Sequence, residues 1–262
     1  MAVLRFLEVL LATTSLCSAA TIKLPRSINN GVNLRIMPQG ASASRGQTST
    51  DEAGYRPHLR ELLNGNGNNV TFVGSVSWGD MSNNLCEAHP GYTIKGVDDV
   101  ALGDGAYEYL PNVILLNAGT NDCNVAGNDP DTAPERYATL LKNIRTNNPD
   151  ALVIASSLLP NLKDSVDECV HKLNIGIKEA VDNATADGMK TGWVDVYNAV
   201  PKSEIQTSDS THPTDEGYKL FAEAWFEGIK KAGDQISEPD PNGKEVLETT
   251  ACGGKSGVKC GQ

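Results

Sequence analysis

After its first twenty residues the chain has no apolar run approaching the ~20 residues that a membrane-spanning helix requires. Positive charge is scarce too. Lys and Arg number 22 against 33 Asp and Glu, a formal net charge of −11, and no basic cluster offers a footing for phosphates. These absences set aside a membrane span and a nucleic-acid partner. Aromatic residues make up only 5% of the chain, few to line a wide lipid cleft, although Leu and Val can substitute for them. There are four histidines, so the search for a general base is short.

What is present describes a soluble globular protein. A chain of 262 residues, 39% hydrophobic and 21% charged, can bury one sizeable core. The first twenty residues read as a secretory signal, with Arg5 near the start, an apolar stretch through Leu11 and a small-residue cleavage site at Ser18-Ala19-Ala20. Glu8 inside the apolar stretch is irregular, and a short buried helix is the competing reading. A secreted, extracellular chain is expected to pair its remaining cysteines, Cys86, Cys123, Cys169, Cys252 and Cys260, with one left over. Cys252 and Cys260, in ACGGKSGVKC, are expected to close a local loop. Cys86–Cys123 is the next expected pair, leaving Cys169 as a buried thiol on a helix. Asn69-Val70-Thr71 and Asn183-Ala184-Thr185 are glycosylation sequons that fit this compartment.

Along the chain, strand-like and helix-like segments alternate. Leu34 opens a short apolar strand that breaks into the small-residue loop GASASRG, ending at Gly46. Tyr55 to Leu63 has helical spacing and stops at NGNGNN; Val70 to Gly74 reads as a strand. A long irregular stretch follows from Ser75 to about Lys95, of a length usually functional or disordered. VILLN (113–117) and ALVIAS (151–156) read as strands buried on both faces, and GWVDV (192–196) as a shorter one. Capping-box patterns at Thr132–Glu135 and Ser165–Glu168 open two helices, and a last helix runs from Thr214 to about Lys231. Strands alternating with helices imply parallel pairing, hence an α/β fold built as a single three-layer α/β/α domain. The expected organisation is a signal at 1–20, one domain at 21–234 and an acidic, Pro-containing tail with a Cys loop at 235–262. Ligands of such sheets bind beyond the carboxyl ends of the strands, where both Ser42 and Asn121 fall.

Ser42, on a glycine-flanked turn after a buried strand, is a candidate nucleophile, although an ordinary Ser/Gly turn has the same look. His58 and His171 read as solvated helix residues. His212 follows Asp209 by three residues in DSTHP, a step that can bring the carboxylate to Nδ1, fix the tautomer and leave Nε2 as a base. The plainer alternative is a turn aspartate and a helix-flanking histidine. Donors for an oxyanion are available from the Ser42 and Gly91 N–H groups and the Asn121 side chain. Glu87 and His89, close to Gly91, either touch substrate or hold the loop, and the second role is expected.

Four blocks, GASAS with Ser42, the stretch holding Gly91, GTND with Asn121, and DSTHP with Asp209 and His212, together resemble the SGNH hydrolases, or GDSL esterase/lipase superfamily. The resemblance spans about Leu34 to Lys231. LRIMPQGAS, TFVGS, EAHPGYTI and HPTDEGY look like fungal secreted acetyl xylan esterases of carbohydrate esterase family three. The resemblance implies a flavodoxin-like parallel five-stranded sheet. It also implies Ser42 as nucleophile, His212 as base, Asp209 as its orienter, and Ser42, Gly91 and Asn121 as oxyanion donors. An acetyl-serine intermediate, no metal and no cofactor follow from it. There are departures. Ala41 replaces the usual Asp before the serine, Ala43 and Ser44 replace Ile and Thr, Arg45 stands where an aromatic is frequent, and Tyr92 where Trp is common.

The resulting expectation is a monomeric secreted serine esterase acting on acetyl esters of plant cell-wall polysaccharide, xylan foremost. Esterases of other acetylated sugars or of small lipid or aryl esters are alternatives. A non-catalytic carbohydrate-binding relative, for which Ala41 is the best sign, is another.

Overall fold

The computed structural model describes residues 27–125 and 127–246. The secretory-signal reading and the Cys252–Cys260 loop lie outside these residues. In chain order the strands are β1 (Leu34–Gly40), β2 (Val70–Phe72), β3 (Val76–Ser77), β4 (Leu85–Ala88), β5 (Val113–Asn117), β6 (Leu152–Ser156) and β7 (Thr191–Val194). The helices are α1 (Ser42–Arg45), α2 (Arg56–Gly65), α3 (Ile94–Gly103), α4 (Thr120–Asn124), α5 (Ala133–Asn147), α6 (Asp164–Ala186), α7 (Val196–Ala199) and α8 (Asp215–Lys231).

β1 pairs in parallel with β5 along one edge, and β5–β6–β7 continue the parallel order. On its other edge β1 pairs β2 through Leu34–Ile36 and β4 through Gln39–Gly40, so two short strands share one position. Five parallel positions result, as the resemblance implied, with β3 added antiparallel to β4 at the margin. β3 and β4 lie inside the stretch read from sequence as irregular. At two and four residues they are too short to print a periodicity.

The sheet is covered on both faces because its strands alternate between two cores. Ile36, Phe72, Val113, Leu115, Leu152 and Ile154 face Leu59 and Leu63 of α2 and Phe221, Trp225 and Ile229 of α8. Met37, Ile114, Leu116, Val153 and Ala155 face Val97 of α3, Tyr137, Leu140 and Ile144 of α5, and Leu173 and Ile177 of α6. Helix α8 shows why its sequence chose this fold. Tyr218, Phe221, Ala222, Trp225 and Ile229 recur at helical spacing and are buried, while the Thr214 hydroxyl accepts the Gly217 N–H at 3.0 Å. Asp215 and Glu216 in its first turn and Lys230 and Lys231 in its last complement the helix dipole. The two capping boxes read from sequence do not form. Thr132 precedes α5, but its hydroxyl donates to Asp129 and accepts from Arg136. Helix α6 begins one residue before Ser165, with Lys163 at its cap position.

The expected Cys86–Cys123 pair is also corrected. Cys123 at the end of α4 bonds Cys169 of α6, with Cα atoms 5.7 Å apart. Cys86 is a free thiol buried in β4, and burial pushes its pKa up. The cross-link closes a separation of 46 residues. In the chain-entropy account such a loop contributes about 4 kcal/mol. Replacing both cysteines with serine is therefore expected to lower Tm by roughly 8–16 °C, and an unchanged melting curve would count against it.

Beyond α8 the chain stays on the domain. Ile236 is buried in the core, and the Ser237 and Asp240 carbonyls accept hydrogen bonds from Asn112 and Arg35.

Candidate active site

Ser42, Gly91 and Asn121 owe their places to strand ends. β1 ends at Gly40, whose neighbour across the sheet is Asn117 at the end of β5. A Cβ on Gly40 would lie 2.1 Å from the Asn117 carbonyl oxygen, so only glycine lets these two strand ends close up. The chain then turns through buried Ala41 into α1, placing Ser42 as its first residue. The Ser42 N–H, being at a helix start, has no partner within the helix. Arg45 of α1 pairs with Glu52 and lies over Trp78, its guanidinium carbon 4.2 Å from the ring centroid.

The candidate base, His212, is delivered by the loop before α8. The Asp209 side chain folds back on its own turn. One oxygen accepts the N–H groups of Thr211 at 2.9 Å and His212 at 3.0 Å, and the other faces His212 Nδ1 at 2.7 Å. With Nδ1–H donating to Asp209, Nε2 carries the lone pair, and it accepts the Ser42 hydroxyl at 2.7 Å. Burial, the largest influence on Asp209, opposes its ionisation. The His212 backbone N–H, the His212 ring and the Thr211 N–H outweigh it together and hold the carboxyl below its ordinary value. A charged carboxylate, an oriented imidazole and a serine hydroxyl thus form one hydrogen-bonded line. Such a line can take a proton from the serine as its oxygen attacks a carbonyl, and return it to a leaving group.

The sequence-predicted oxyanion donors occupy the neighbouring strand ends. β4 runs beside β1, and the His89 N–H donates to the Gly40 carbonyl at 3.0 Å. His89, Pro90, Gly91 and Tyr92 form a turn closed by the Tyr92 N–H on the His89 carbonyl at 3.3 Å. Proline in its second position and Gly91 at φ +83° in its third match a type II turn. Asn121 lies at the start of α4, just past β5, and its amide donates to the Tyr92 carbonyl at 2.9 Å. The second hydrogen of that amide is left for a ligand. Ser42, His212 and Asp209 are therefore joined directly, while Gly91 and Asn121 are joined to each other's turn. Among the described residues, no hydrogen bond links either donor straight to Ser42.

Ser42 and His212 line a very small cleft, about 10 Å³, with Ala41, Ala43, Gly119, Thr120 and Leu159. A larger cavity, about 730 Å³, lies at the opposite end of the sheet between Arg35, Arg60, Asn69 and the chain around Lys244, far from any of this chemistry. Of the other two histidines, only His171 is as solvated as the sequence reading had it. His58 is half-buried near Glu61, and His171 is exposed on α6. Among the described residues, Glu87, His89 and Asp104 have potential metal-ligand atoms within 4.8 Å of one another. His89 Nε2 and Glu87 Oε1 already bond each other at 2.7 Å, so a cation would have to replace that contact.

Residues 40–220 of the chain match the GDSL-like Lipase/Acylhydrolase family. The chain belongs to that family. A curated relative, a multidomain esterase of Ruminococcus flavefaciens, is 27% identical across 90% of this chain, which spans only 34% of that protein. The family 3 carbohydrate esterase of Clostridium thermocellum has the same fold, with a TM-score of 0.68 at 23% identity, covering 77% of this chain and 98% of its own. A carbohydrate esterase family 3 structure from Talaromyces cellulolyticus gives 0.63 at 20% identity, covering 79% of this chain and 100% of its own.

Sequence reasoning missed several residues that hold this GDSL site in shape. Asp122, next to Asn121 and buried, accepts the Ile94 N–H at 2.9 Å and Arg136 at 3.0 Å, tying α4 to α3 and α5. Its place in GTND was the available signal. Arg56 gave none, since it opens a helix and looks solvated. It is fully buried and donates to the Ala53, Asn84, Arg45 and Trp78 carbonyls. Arg56→Met should cost about 3–5 kcal/mol, because four buried carbonyls lose a charged donor at once. Urea unfolding checks this, and a loss under 1 kcal/mol would sink it (roughly one ordinary hydrogen bond).

Proposed function

We propose that this GDSL hydrolase is a secreted serine esterase that removes acetyl groups from plant cell-wall polysaccharide, with acetylated xylan as its substrate. One observation carries the mechanism: the unbroken line Ser42 Oγ–His212 Nε2, His212 Nδ1–Asp209 at 2.7 Å in both links. The small cleft around Ser42 supports a short acyl group. The polysaccharide rests on the likeness of fold to family 3 carbohydrate esterases.

In this reading Ser42 Oγ attacks the acetyl carbonyl carbon as its proton passes to His212 Nε2. The oxyanion is held by the N–H groups of Ser42 and Gly91 and the Asn121 amide. The carbon–oxygen bond to the sugar then breaks, and His212 returns the proton to the departing sugar oxygen. Acetyl-Ser42 remains. Water gives its proton to His212, attacks the acetyl carbon, and releases acetate with the serine restored. Asp209 keeps the ring oriented throughout and stays ionised.

The test is acetate release from acetylated xylan, with 4-nitrophenyl acetate alongside. Turnover of both supports the proposal. Turnover of the small ester alone keeps the mechanism and moves the substrate to another ester. Turnover of neither removes it and directs attention to Ala41, where Ala41→Asp is the next variant.

A further inference from the structure

The oxyanion donors have an unusual support. Gly91 and Tyr92 are both exposed, and a Cβ built on Gly91 would meet no atom within 4 Å. Among the described residues no neighbour presses on the open side of that turn, so its position depends on what backs it. Behind it stands His89. Its ring is stacked on Tyr92 at 5.4 Å between centroids and 26° between planes. Its Nε2 bonds Glu87 Oε1 at 2.7 Å, and Glu87 is fully buried, with its other oxygen accepting the Ser75 N–H at 2.8 Å. The Tyr92 carbonyl in turn holds the Asn121 amide. A displacement of Tyr92 would therefore move two donors together, the Gly91 N–H before it and the Asn121 amide bonded to it.

We propose that His89, anchored by the buried Glu87 carboxylate, is a positioning residue that holds the Gly91–Tyr92 turn and Asn121 in register with Ser42. This rests on the serine-esterase reading above and adds a role for a histidine that the proton relay does not use. The ring contributes a flat backing for Tyr92, and the Nε2–Glu87 bond stops that ring from rotating away. Asp104, with a carboxylate oxygen within 4.8 Å of both partners, also faces the pair, as do Cys86 and Tyr107 on the Glu87 side and Tyr92 on the His89 ring.

Two variants separate the two contacts. His89→Phe keeps a ring against Tyr92 and loses the bond to Glu87. His89→Gln keeps a donor where Nε2 was and loses the ring. With 4-nitrophenyl acetate, His89→Phe is expected to lower kcat about 10- to 100-fold, the scale of a misplaced reacting group, with KM changed less than about twofold. His89→Gln, which still pairs Glu87, is expected to recover part of that loss. In an Asn121→Ala background, itself down roughly 10²–10³-fold, His89→Phe should cost a clearly smaller factor because one donor it positions is gone. Tm, measured for each variant, separates positioning from bulk stability. An unchanged kcat in folded His89→Phe overturns the proposal, and so does a loss that multiplies in full with Asn121→Ala or that follows Tm across the variants. Wild-type turnover that survives Ser42→Ala, or no turnover at all, overturns the esterase reading and this one with it. Ser42-dependent turnover indifferent to His89 overturns this one alone.

Discussion

Ser42→Ala should reduce kcat for 4-nitrophenyl acetate by about 10⁵–10⁶-fold while the protein keeps its fold and its KM. The size follows from what the hydroxyl does. Without Oγ no acyl-enzyme can form, and the imidazole at 2.7 Å has no proton to accept. What remains is whatever the N–H groups and the cleft do for a water attacking directly. Stability should change little, because Ser42 is only half-buried and its hydroxyl bonds a single partner, His212. The same variant separates the enzyme from a carbohydrate-binding relative. A binding protein would hold polysaccharide equally well with alanine at 42, and its wild type would release no acetate. Labelling by a sulfonyl fluoride gives an independent readout, since only a serine activated by its neighbour reacts at a useful rate. Reaction of the wild type elsewhere than Ser42 would count against the assignment.

The parts of this molecule that were legible in the sequence are those set by short-range chemistry. Val113–Asn117 is a strand because five successive apolar or strand-compatible residues sit between turn formers, and its boundaries agree with the sequence reading. Asp209 and His212 meet because a three-residue step folds a carboxylate back over its own turn, an event that needs no distant partner. The pairing of Cys123 with Cys169 was not legible, because it depends on how α4 packs on α6, and nothing local to Cys86 announces that it is enclosed. The capping box at Thr132 failed for a related reason. Its hydroxyl had better partners in Asp129 and Arg136, one of them a full turn into the helix. Arg56 illustrates the limit most clearly. Its residue type and its helix-start position both suggest solvent, yet carbonyls from Ala53, Arg45, Trp78 and Asn84 surround it. Ser42 is positioned by the loop that this guanidinium gathers in, so the proposed nucleophile depends on a residue no motif contains.

Asp209→Asn should lower kcat by about 10⁴-fold with the backbone turn intact. Asparagine can still accept the Thr211 and His212 N–H groups through its one oxygen, so the turn that aims the histidine survives. What it presents to Nδ1 is then an N–H, which turns the imidazole to the other tautomer and leaves a hydrogen on Nε2, where the Ser42 proton has to go. The ring also loses the negative charge that stabilises it once protonated. The consequences of pH follow from the direction of the Asp209 shift. Its folded-state carboxyl lies below the ordinary value near 4, because hydrogen bonds outweigh burial. Only below the lowered folded value are both folded and unfolded chains protonated, so its contribution to stability is present above the unfolded pKa and fades as pH falls through the lowered folded one. Between pH 5 and 8 the carboxylate is therefore charged in the wild type, and the carbon NMR signal of the Asp209 carboxyl should show no protonation step of its own across that window. A full protonation step of that carboxyl between pH 8 and pH 5 would mean that Asp209 itself is taking up the proton, and that the carboxylate is not the fixed charge this arrangement requires.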